Sequence, residues 1–155
     1  ATLRAAYDGD ESFEAAQAAL DENSVALAAS VGSVYGQEAE EEFLALWRDH
    51  IGFFAEYTVG LATDDQKQID QAVEDLNGYA ADAGAFFSSA NPNIEAVAVQ
   101  DLAMEHGSLV REAMAAYDEG DYSRSYELEL EANDQISQIA DALTNGIVTQ
   151  FPNTF

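Results

Sequence analysis

The sequence predicts an all-α protein: an antiparallel up-and-down bundle of five long helices behind one short N-terminal helix, ferritin-like in outline. Three observations lead there. Apolar residues recur in alternating steps of three and four along nearly the whole chain. Pro occurs only at positions 92 and 152, so little interrupts a helix. No stretch combines strand-like alternation with hairpin turn residues.

The elements follow in order. Residues before Tyr7 read as the tail of a helix that Asp8-Gly9-Asp10 terminates. From Asp10 a first seam runs Phe13, Ala16, Leu20, Leu27, Val31, Val34, with a gap at Asn23, and Gly36 closes it. A second, aromatic-rich stripe carries Phe43, Leu46, Trp47, Ile51, Phe54, Tyr57 and Leu61. Thr63-Asp64-Asp65 caps a third helix through Ile69, Val73, Leu76, Ala80 and Phe87. Asn91-Pro92-Asn93 is a turn in which Asn93 can cap a fourth helix, with Val97, Leu102, Leu109, Val110, Ala113 and Tyr117. Glu119-Gly120-Asp121 breaks it, and the last helix bears Tyr122, Tyr126, Leu130, Ile136, Ala140, Leu143 and Ile147, ending at Phe151-Pro152. Helices of roughly 25 residues would be about 37 Å long, and short connections make neighbours antiparallel. The length of 155 residues predicts a single domain over 1–155.

Thirty Asp and Glu stand against five Lys and Arg, a formal net charge of −25. This excludes partners that need a cationic surface, nucleic acid and anionic membranes first among them. With 48% apolar residues the chain has enough to bury, so the acids read as solvated helix faces rather than as disorder. Such self-repulsion suits a saline medium that screens it, and the single Lys67 beside abundant Asp, Glu and Ala has the character of a halophilic composition. Cys is absent, which removes disulfides and thiolate metal sites. No run is apolar enough to insert in a membrane. The chain begins at Ala1 without Met, which fits removal of an upstream segment on export to the cell surface or beyond.

Ala5-Ala6-Tyr7-Asp8 repeats as Ala115-Ala116-Tyr117-Asp118, and a half-step of 56 relates His50 to His106 and Gly36 to Pro92. The chain therefore reads as helix-hairpin units of about 55 residues, the first of them truncated. A truncated helix leaves an apolar groove beside it, open to a protein partner or to self-association.

Polar residues interrupt the seams at Asn23, His50, Asn77, His106 and Asn133, spaced 27, 27, 29 and 27. One reading is a buried mid-bundle layer of hydrogen bonds that fixes helix register. The other is a transition-metal site on His50 and His106, since bundles build their sites at mid-height. A di-metal carboxylate centre needs Glu three residues before each His, where Trp47 and Ala103 stand instead, and Asp49 and Glu105 point about 100° away from the imidazoles. No Ser-His-Asp context and no Gly-rich phosphate loop is present, so no catalytic residue or organic cofactor is assigned. Phe43, Trp47, Phe53, Phe54 and Tyr57 read as core; Phe53 beside Phe54, and Phe86 beside Phe87, put one ring of each pair off its seam.

At Val31-Gly-Ser-Val-Tyr-Gly36, Leu46-Trp-Arg-Asp-His-Ile51, Tyr57-Thr-Val-Gly60, Asn91-Pro92 and Gln150-Phe-Pro152 the chain resembles an uncharacterised family of helical domains in secreted bacterial proteins. Some of these adjoin a copper-amine-oxidase-type N-terminal domain. The resemblance implies an exported helical domain and supplies no activity. It also implies a His on the opening helix, a stretch without a counterpart here. The functional expectation is a non-enzymatic extracellular or cell-surface structural or interaction domain, the alternative a metal-binding ferritin-like bundle.

Overall fold

The computed structural model describes residues 2–154. Six helices follow one another: α1 (Thr2–Asp8), α2 (Phe13–Tyr35), α3 (Gln37–Ala62), α4 (Gln66–Ala90), α5 (Ala96–Asp118) and α6 (Tyr122–Gln150). The described residues contain no strand. The protein is all-α, a short helix ahead of five long ones, as the apolar periodicity predicts. The contacts divide into two compact units, one up to Leu76 and one from Asn77, with the boundary inside α4.

In the first unit α2 and α3 form a hairpin linked by a single residue, Gly36, at φ 92° and ψ 172°, a backbone region that essentially only glycine enters. Its N–H donates to the Gly32 carbonyl at 2.8 Å. Gly32 is equally specific, because a Cβ there would collide with the Glu40 side chain across the corner. Farther along, Arg48 grips Asp21 through Nε–Oδ1 at 2.8 Å and Nη2–Oδ2 at 2.9 Å. This pair is half exposed and contributes little to stability. α1 packs on both α2 and α3. Phe43, Phe54, Tyr57, Ala28, Ala72 and Leu76 are buried in this unit.

In the second unit α5 and α6 fold back on each other about the turn at Glu119–Asp121. Ser125 Oγ donates to the Ala113 carbonyl at 2.7 Å near the turn, and Gln135 Nε2 donates to the Leu102 carbonyl at 2.8 Å farther out. Near the turn Ala113, Ala116 and Leu128 form a small core with Leu109 packed against it. At the far end Gly146 accommodates Ile94, and Gln150 Nε2 reaches the Ala90 carbonyl at 3.2 Å. The turn between α4 and α5 differs from expectation. Asn91, fully buried, organises it by accepting from Asn93 N–H at 2.9 Å, and Ile94 N–H bonds to its carbonyl at 3.0 Å. α5 therefore starts at Ala96, and Asn93 is a turn residue rather than its cap.

Three turns are built alike. Asp10, Asp65 and Asp121, 55 and 56 positions apart, donate their N–H to Ala5, Gly60 and Ala116 carbonyls at 2.9, 2.9 and 2.8 Å. The residue before each, Gly9, Asp64 or Gly120, has φ of 63°, 52° or 78°. This is the left-handed helix stop with its six-to-one hydrogen bond. Asp65 and Asp121 then start the next helix, their Oδ1 accepting from Gln68 N–H and Arg124 N–H at 3.1 Å each, whereas Asp10 Oδ1 accepts from Ser12 N–H at 2.7 Å, two residues on and ahead of α2. Hydrogen bonds from Ser12 hold the Asp10 carboxyl below the usual carboxylate range.

Two seams are displaced from the predicted ones. α2 buries Ser24 and Ala28 while Leu27 is 38% exposed. α6 buries Ser125, Leu128, Ala132, Gln135 and Gly146, and leaves Tyr122, Tyr126 and Leu130 at 56%, 57% and 67% exposure. Small residues line part of each buried face, and at Gly146 the absence of a Cβ makes room for Ile94. Their buried hydroxyls cost little because backbone carbonyls satisfy them, Leu20 for Ser24 Oγ and Ala113 for Ser125 Oγ, both at 2.7 Å.

Candidate functional site

Of the two histidines, His50 belongs to a stack along one face of α3. Phe43 and Trp47 lie with centroids 5.6 Å apart, Trp47 and His50 4.8 Å, His50 and Phe54 5.1 Å, the last edge-to-face. Steps of three and four bring these rings together on a helix as a matter of spacing. The stripe is core as expected, with Phe43, Phe54 and Tyr57 buried and Phe53 half-buried off the seam. Phe86 is likewise buried, with the ring of half-buried Phe87 edge-on to it at 5.0 Å.

His106 lies half-buried on α5 beside Ala132 and Gln135 of α6. Burial is the largest influence and pushes the imidazole below its usual range; the Ala132 backbone and the Gln135 side chain pull the other way. Gln135 is 3% exposed, its amide nitrogen held by Leu102, one helical turn before His106. His106 Nδ1 and Gln135 Oε1 are both buried without a hydrogen bond of ordinary geometry.

The five-residue polar series is not a buried layer. Asn23, Asn77 and Asn133 are exposed, and the buried positions are their neighbours Ser24, Leu76 and Ala132. One residue turns a helix by about 100°, enough to exchange a core position for solvent. Asp49 and Glu105 are exposed, as their angle to the histidines implies. The buried polar side chains are instead Ser24, Thr58, Asn91, Ser125 and Gln135. Ser24 and Thr58 bond to carbonyls four residues back on their own helices, so seam position alone could have found them.

Among the described residues no three His, Asp or Glu side chains gather closely enough to hold a metal ion. His50 is stacked with aromatic rings, and His106 faces a carbonyl and an amide. Among the described residues no helix is long and apolar enough to cross a membrane. No family model, curated protein or solved structure matches the chain.

Proposed function

We propose that this chain is a non-enzymatic structural or interaction domain that works outside the cell or at its surface, akin to the helical domains of secreted bacterial proteins it resembles. The observation that carries this reading is where the interior polar groups go. Ser24, Thr58 and Ser125 are bound to backbone carbonyls, and His106 is set against α6 beside Ala132 and Gln135, with its Nδ1 left unbonded. What remains for recognition is the surface, with thirty acids to five bases, suited to a saline medium. Exposed Val25 and Leu27 on α2 make the α2–α3 pair a docking surface for a protein partner or a second copy.

Metal analysis of protein isolated without chelator tests this against the metal-binding alternative. The expected result is substoichiometric transition metal in both the parent and the His50→Ala/His106→Ala variant. Stoichiometric metal that the double variant loses overturns the proposal.

A further inference from the structure

α6 repeats the exposure pattern of α4. Every exposed position of α4, from Gln66 to Ser89, maps onto an exposed position of α6 56 residues on. One run of these positions turns from polar to apolar. Where α4 presents Gln66, Asp70 and Glu74 to solvent, α6 presents Tyr122, Tyr126 and Leu130 at 56%, 57% and 67% exposure. α2 has only Ala15 and Ala19 at the second and third of these positions, also exposed. The exposed apolar stripe thus belongs to α6 alone among the three helices.

We propose that this stripe is the docking site for a cationic amphipathic helix of a protein partner. The proposal rests on the interaction-domain reading and names its partner class. Three anchors at steps of four cover about 12 Å, two turns of a facing helix. The Tyr117 ring, 5.2 Å from that of Tyr122, extends the apolar surface towards the turn. Both margins are acidic: by helical angle Glu129 borders one side, and Glu127 and Asp134 the other. Arg124 is already shared between Glu131 at 3.2 Å and Glu127 at 3.6 Å. Lysines on the flanks of an incoming apolar face meet these carboxylates, which gives the encounter its sign. A second copy is the poorer occupant, because it brings another net charge of −25 and the two-turn stripe is far smaller than the roughly 800 Å² per partner of a stable dimer.

The test uses the whole chain and three synthetic 18-residue peptides: one with Leu on one helical face and Lys on the other, its Lys→Glu counterpart, and a scramble of the Leu/Lys peptide. The Leu/Lys peptide is expected to bind saturably with amide shift changes centred on residues 119–134, and at least tenfold more tightly than the other two. The triple variant Tyr122→Gln/Tyr126→Asp/Leu130→Glu, which carries the residues of α4, is expected to lose at least tenfold in affinity although it is more acidic. Leu130→Glu alone serves if the triple variant loses its helical circular dichroism. Unchanged or tighter binding by the variant means attraction by net charge alone and overturns the proposal. So does a sedimenting dimer that the same substitutions abolish, since the stripe is then covered by a second copy. Neither outcome bears on metal content, so the failure of this proposal is distinguishable from that of the interaction-domain reading.

Discussion

His106 shows how one residue links burial to solution behaviour. Its folded-state affinity for a proton is lowered by burial, so between that lowered value and the ordinary 6.5 the unfolded chain binds more protons than the folded one. The imidazole therefore contributes its full stability above about pH 6.5 and withdraws it as pH falls through that value. The expected outcome, in urea unfolding at 1 M NaCl to screen the acids, is that the parent loses more stability between pH 7.5 and 5.5 than His106→Gln does. Parallel losses would show that the ring stays hydrated in the folded state. The seam interruption at His106 was legible in the sequence, and so was the place of His50 between Trp47 and Phe54. Gln135 was not, because an amide becomes a core residue only once the Leu102 carbonyl is brought opposite it, and that depends on how α6 rotates against α5.

At the scale of the helix, boundaries were written more plainly than faces. Gly36 and the acidic turns announce stops through left-handed backbone and side-chain capping, both local effects that sequence encodes directly. Which face of α6 is buried depends instead on the surface opposite it, and small residues at Ser125, Ala132 and Gly146 outweigh the larger Tyr122, Tyr126 and Leu130. The start of α5 moved for a related reason: Ile94 is buried beside Gly146 before the helix can begin. The caps themselves can be weighed. Asp121→Ala removes the acceptor for Arg124 N–H and is expected to cost about 1 kcal/mol in urea unfolding, with Asp121→Asn close to the parent. Equal losses from both substitutions would assign the effect to charge rather than to the hydrogen bond.

For the whole molecule the dominant variable is charge. Folding brings thirty carboxylates closer than they stand in the expanded chain, and only five cations offset them. Screening shortens from about 8 Å at 0.15 M salt to about 3 Å at 1 M. The thermal midpoint is therefore expected to climb with NaCl from 0.05 to 2 M, beyond the physiological range. Sodium chloride adds little of the exclusion effect that sulfate brings to any protein. A flat midpoint would mean the acids stand too far apart to repel and would remove the case for a saline habitat.

The two hairpins, about Gly36 and about Glu119–Asp121, also bear on how quickly the chain finds its fold. The hydrogen bonds across the Glu119–Asp121 turn close loops of 12 and 33 residues, and the ion pair across Gly36 one of 27. Closing such short loops costs little chain entropy, and helical proteins with contacts this local reach their native state in microseconds to milliseconds. Each hairpin can form around its own turn without waiting for a distant segment. Nascent apolar faces are then exposed only briefly, an advantage for a chain in strong salt, where unfolded acidic segments no longer keep one another apart.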